Sequence, residues 1–109
     1  MSVFEVVWKK QFDEIIASSE ALVLVDFWAS RCGPCRMLWP VLHDLAEKYD
    51  GKVLIVKIDV DEDANAEIAM QYEVRSIPQV TIFKWWKQVD QFIGALPPDQ
   101  VEVYINKYI

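Results

Sequence analysis

Cys32 and Cys35 are the chain's only cysteines, and they stand two residues apart in Arg31-Cys32-Gly33-Pro34-Cys35. Two thiols at this spacing can close into a small disulfide or open into a dithiol, which is the chemistry of thiol–disulfide exchange. The competing chemistry is metal binding, because two cysteines two apart also open many zinc motifs. Structural zinc takes four ligands. The only histidine, His43, lies eight residues past Cys35, about 12 Å farther along a helix at the usual rise. The ligand set is incomplete, and redox use of the pair is the better reading.

The elements that must position the pair are legible on both sides of it. Residues 21–28, Ala-Leu-Val-Leu-Val-Asp-Phe-Trp, are nearly continuous in apolar side chains, as in a strand covered on both faces of a parallel sheet. From residue 33 to about 49 the period turns helical, with Leu38, Val41, Leu42, Leu45, Ala46 and Tyr49 on one stripe. Steps of three and four back from Leu42 land on Leu38 and Cys35, so Cys35 is expected buried and Cys32, at the helix start, exposed. Pro34 suits a first helical turn, where a missing N–H costs nothing, and Pro40 should kink the helix farther in. Near a helix N-terminus the backbone N–H groups and macrodipole favour charged sulfur, and Arg31 adds a cation. Cys32 is therefore read as the attacking thiolate and Cys35 as the resolving thiol.

Around this unit the chain alternates. Phe4, Val6 and Trp8 alternate with Glu5, Val7 and Lys9, a short edge-strand pattern. A helix over about 10–20 follows, with Phe12, Ile15, Ile16 and Ser19 on one stripe. Residues 52–59 read as a second buried strand, parallel to the first because a helix intervenes. The acidic run Asp61-Glu62-Asp63 precedes a short helical stretch at about 64–72 and reads as a solvated helix start. Strands at about 80–83 and 89–93 are antiparallel, and Pro98 and Asp99 open a last helix. The order is βαβαβαββα, a single α/β domain over residues 1–109. Two anomalies stand out. Asp26 is the lone carboxylate in its strand, so burial should hold it neutral above the usual range, with Lys57 on the neighbouring strand as its expected partner. Trp85-Trp86 occupies the hairpin turn, where bulky residues resist φ > 0, so another turn type or a longer loop is expected. Packing of at least one of these indoles is favoured over a binding role.

Of the 109 residues 53% are apolar, ample for one core, and two cysteines are too few for a secreted disulfide scaffold. No charged leader followed by an apolar run opens the chain, and no apolar stretch reaches the roughly 20 residues of a membrane span. Cytoplasmic location and no membrane partner are the expectations. With 17 acidic against 11 basic residues the net charge is −6, which counts against nucleic acid.

Val25-Asp26-Phe27-Trp28-Ala29 before Cys-Gly-Pro-Cys, Pro40 inside the helix, Lys57 in the next strand, Ile77-Pro78 before the antiparallel pair and Gly94-Ala95-Leu96 after it together resemble the thioredoxin family along nearly the whole chain. The resemblance implies a thioredoxin fold, with a central mixed five-stranded sheet flanked by four helices. It implies protein-disulfide reduction with no cofactor beyond the redox-active disulfide Cys32–Cys35, and a cis peptide at Ile77-Pro78. Asp26 and Lys57 become a proton relay to Cys35, and Arg31, Gly33, Pro34, Ile77, Pro78 and Gly94 the surface that meets substrate. Implied partners are disulfide-containing proteins and a thioredoxin reductase, with the protein a monomer. Two departures matter. Arg31 replaces the family's tryptophan, removing an apolar contact surface and counting against reductase docking, and Trp85-Trp86 replaces the usual turn residues. The alternatives are the same fold poised toward disulfide formation or isomerisation, and a non-catalytic accessory subunit.

Overall fold

A computed structural model describes residues 3–6 and 8–109. Five strands form one sheet: β1 (Val3–Val6), β2 (Leu22–Trp28), β3 (Val53–Asp59), β4 (Gln79–Lys84) and β5 (Lys87–Ile93). Four helices accompany them: α1 (Lys9–Ser18), α2 (Gly33–Lys48), α3 (Ala66–Gln71) and α4 (Pro98–Tyr108). The spatial order is β1-β3-β2-β4-β5. β3 runs parallel to both β1 and β2, whereas β4 is antiparallel to β2 and to β5. The sheet is mixed, with β2 at its centre, as the unbroken apolar run of residues 22–25 requires of a strand covered on both faces.

Side chains alternate along β2 and divide the core in two. Leu22 and Leu24 face α2 and α4 and pack with Leu38, Leu42, Leu45, Val101 and Ile105. Val23, Val25 and Phe27 face the other way and pack with Phe12 and Ile16 of α1 and Ile68 of α3. Each such aliphatic side chain taken from water contributes about 1.5–3 kcal/mol before entropy is counted. The same alternation puts Asp26 and Trp28 on the α2 face, and on β3 it puts Lys57 there behind Val53 and Ile55.

The element order is as expected, with two differences at boundaries. Trp8 lies beyond β1 and is the N-cap of α1, and Val7 lies outside the described residues. The stretch after β3 begins with a 3-10 turn, Asp63–Asn65, before α3. α2 runs through Pro40, as expected of a helix over about 33–49.

The largest correction concerns the β4–β5 hairpin. Trp85 and Trp86 form a two-residue connection between the paired residues Lys84 and Lys87, and both adopt positive φ, 51° and 60°. The expectation of another turn type fails because the right-handed twist of two paired strands selects a turn with both central residues at φ > 0, and the ladder overrides residue preference. Neither indole packs: Trp85 is 62% and Trp86 66% exposed. A register shift at Ile82/Phe83 marks an irregularity just inside the turn.

Candidate active site

β2 ends at Trp28, and four residues later Cys32 is the N-cap of α2. The Cys32 N–H donates to Ala29 O (3.1 Å), which tightens the turn between strand and helix. Cys32 and Cys35 are joined as a disulfide with Cα atoms 5.3 Å apart. The Cys35 backbone N–H points at Cys32 Sγ from 3.2 Å, so in the dithiol form a helix N-terminal donor already faces the sulfur that would carry charge. Cys35 is fully buried on the stripe of Leu38 and Leu42. Cys32 is the more open sulfur, but at 9% exposure it is open only in comparison. The expected order of exposure holds and its degree does not, because the chain around Ile77 covers Cys32, with Ile77 O 3.7 Å from Sγ.

That covering segment is built from residues far along the chain. Ile77-Pro78 is cis, and the Gly94 N–H donates to Pro78 O (2.8 Å). Gly94 adopts φ +97°, a conformation open to glycine and strained for other residues. Ile77, Pro78 and Gly94 thus meet at the cysteine end of the sheet, with Gly33 half-buried and Pro34 exposed in the first turn of α2.

Beneath the first turns of α2 a row of charged residues crosses three strands. Glu5 pairs with Lys57 across β1 and β3, and Lys57 pairs with Asp26 across β3 and β2. Asp26 is fully buried, and among the described residues neither carboxylate oxygen has a hydrogen-bond partner. Burial raises its pKa to about 7, with Lys57 opposing the rise and Glu5 adding to it. Lys57, the expected partner of Asp26, favours its ionised form through space but makes no hydrogen bond to either carboxylate oxygen. The Lys57 ammonium lies over the Trp39 ring, 3.0 Å from its centroid, and 4.9 Å from that of Trp28. Burial pushes the Lys57 pKa down, opposed by Glu5 and then Asp26. Trp28 and Trp39 meet edge to face at 4.9 Å, and Trp28 Nε1 donates to Glu5 Oε2 (3.4 Å).

The comparisons with known proteins agree with this arrangement. The model of the thioredoxin family matches residues 3–107. The chain belongs to the thioredoxin family. A thioredoxin of Chlorobaculum thiosulfatiphilum is 51% identical over 100 residues, covering 92% of this chain and 91% of the relative. A thioredoxin of a Synechocystis species is 44% identical over the full length of both chains. The solved structure of Plasmodium falciparum thioredoxin superposes with a TM-score of 0.85 at 33% identity, covering 96% of this chain and 98% of that one. This thioredoxin-family chain is a protein-disulfide oxidoreductase that works by dithiol–disulfide exchange through its cysteine pair.

Of the residues expected at the site, Ile77 lies beside Cys32 Sγ, Gly94 bonds to Pro78, Cys32 and Cys35 open α2, and Asp26 and Lys57 are strand neighbours on β2 and β3. The cation that Arg31 adds at this turn has a carboxylate partner. The Arg31 guanidinium holds the Asp61 carboxylate in two-point contact, Nε–Oδ2 at 3.0 Å and Nη2–Oδ1 at 3.1 Å, so the cation next to Cys32 is one half of an ion pair. Both partners are exposed. Asp61 is accordingly more than a solvated helix start. Glu5 and Trp39 were missed as members of the site. Counting two residues back along each strand would have placed Glu5 on the α2 face, and Trp39 is one helical turn past Cys35, on the same stripe.

Proposed function

We propose that Cys32 attacks and Cys35 resolves. The Cys32 thiolate attacks one sulfur of a substrate disulfide, forming a mixed disulfide and releasing the first substrate thiolate. Cys35 then loses its proton and attacks Cys32 Sγ, closing the intramolecular disulfide and releasing the second thiolate. Two electrons pass to the substrate, and a dithiol donor returns the pair to its reduced form. The observation that carries this order is the unequal burial of the two sulfurs, combined with the Cys35 N–H aimed at Cys32 Sγ.

Asp26 accepts the Cys35 proton by way of water in this reading. A buried base with pKa about 7 is matched to proton transfer at neutral pH. The Ile77 backbone, beside Cys32 Sγ, pairs with extended substrate, and Gly33, Pro34 and Gly94 border the contact. Thioredoxins reduce disulfide-containing proteins and are reduced by a thioredoxin reductase, and we assign both partner classes to this chain, acting as a monomer in the cytoplasm. Arg31 weakens the reductase contact by replacing an apolar surface with a charged one. The alternative of an oxidising poise rested on Arg31 stabilising the thiolate, and its pairing with Asp61 weakens that argument.

Insulin-disulfide reduction by dithiothreitol tests the reading. The parent should bring turbidity on earlier than the reductant alone, and Cys32→Ser should remove the acceleration. Equal onset with and without the parent protein would overturn it.

A further inference from the structure

Lys57 has two carboxylates as neighbours in its row, Glu5 on one side and Asp26 on the other. A lysine in that place would ordinarily settle against the buried carboxylate, since an unpaired buried charge is costly. Instead its ammonium sits against the faces of two indoles, nearest Trp39. Cation–π attraction is strongest for tryptophan and grows when water is excluded, and Lys57 is 7% exposed. Glu5 lies on the far side of Lys57 from Asp26 and attracts the ammonium more strongly than Asp26 does. Trp39 also bears a cost that packing alone does not explain: its indole N–H is buried with no hydrogen-bond partner among the described residues. A leucine at this point of the α2 stripe would fill apolar space without that cost.

We propose that Trp39 is a positioning residue which, together with Trp28, holds the Lys57 ammonium off the Asp26 carboxylate, leaving Asp26 able to accept the Cys35 proton. The catalytic part of this statement rests on the proposed role of Asp26, while the placement of Lys57 does not. The charged groups involved are Lys57 and Glu5 around Asp26, and Glu5 and Asp26 around Lys57. α2 contributes Trp39 above them, on the stripe of Cys35. Were Lys57 to close on Asp26, the carboxylate would be stabilised as an anion and become a poorer base near neutral pH.

The test reads Asp26 by carboxyl-carbon NMR titration of the oxidised protein, in the parent, Trp39→Phe and Trp39→Ala. The parent should titrate near 7, Trp39→Phe should stay close to it because a ring face remains, and Trp39→Ala should fall by at least one unit, within the roughly 1–3 units that a cation at 4–6 Å produces. An unchanged value in Trp39→Ala, or equal falls in both variants, overturns the placement. A reading that needs no variant accompanies it: the Lys57 side-chain methylenes of the parent should show ring-current shifts, and their absence would also overturn it. The activity consequence is read separately, as an acid-side shift in the pH profile of insulin reduction in Trp39→Ala. Should Asp26 move while that profile stays fixed, Lys57 is positioned as stated and Asp26 is not the proton acceptor, so the catalytic half of the proposal and the reading beneath it fail together.

Discussion

The two ends of β2 both carry residues that local rules disfavour, and the surroundings treat them differently. At the cysteine end a carboxylate is buried with no hydrogen-bond partner among the described residues, Lys57 and then Glu5 stand beside it across the strands, and the Lys57 ammonium lies against two indoles. At the opposite end, where β4 pairs with the start of β2 and turns into β5, two tryptophans hold left-handed backbone and stay exposed. Their company is slight: the Lys84 ammonium lies 5.2 Å from the Trp85 ring centroid. Unfavourable residues at a functional site are tied into a network that uses their altered chemistry. At the hairpin the unfavourable backbone is imposed by strand twist, and no described contact draws chemistry from it. Departure from a local rule therefore marks function only when other groups answer it.

Removing the buried charge is the larger test of this contrast. The Asp26 pKa is raised in the folded protein, to about 7 from an ordinary 3.8. Its contribution to stability is therefore fully present below the unfolded value and is lost as pH rises toward the folded one. A shift of that size corresponds to about 4 kcal/mol. Relative to Asp26→Asn, the oxidised parent should lose stability between pH 4 and 7 by up to this amount, then keep a constant offset above pH 7. Denaturant melts across that range check it. Parallel stability curves for parent and variant would mean that Asp26 is not held neutral by burial.

The hairpin gives a smaller effect of opposite meaning. A non-glycine residue in left-handed backbone costs about 1–3 kcal/mol, and Asn-Gly is the pair best suited to this turn. The double change Trp85→Asn, Trp86→Gly should stabilise the protein by about 2 kcal/mol in melts at constant pH, with insulin reduction unaltered. A destabilised variant would show that the indoles make contacts worth more than the backbone strain. Lost activity would bring the two ends of β2 together and dissolve the contrast.

What the sequence disclosed followed from periodicity and chain-local geometry. The spacing of Leu42, Leu38 and Cys35 placed one sulfur in the core, and the apolar run around Asp26 marked that residue as buried, because both are properties of a single element. What it withheld was lateral. Arg31 and Asp61 are thirty residues apart and meet only because the β3 exit passes the β2–α2 turn. Lys57 was assigned to Asp26 on strand neighbourhood alone, and Trp39, arriving from the helix above, takes the ammonium instead. The Trp85-Trp86 turn was misjudged because residue preference was weighed without the ladder on either side. The half-closed state of Cys32 comes from Ile77, forty-five residues away.

The central claim is that a single fold gives two identical side chains unequal roles, Cys32 reactive and Cys35 held back. Alkylation of the reduced protein tests it directly. With limiting iodoacetamide at neutral pH and peptide mapping, residue 32 should carry nearly all of the label, because it has the less buried sulfur and the facing N–H while Cys35 lies fully in the core. Comparable labelling of the two sulfurs, or preference for Cys35, would contradict the account.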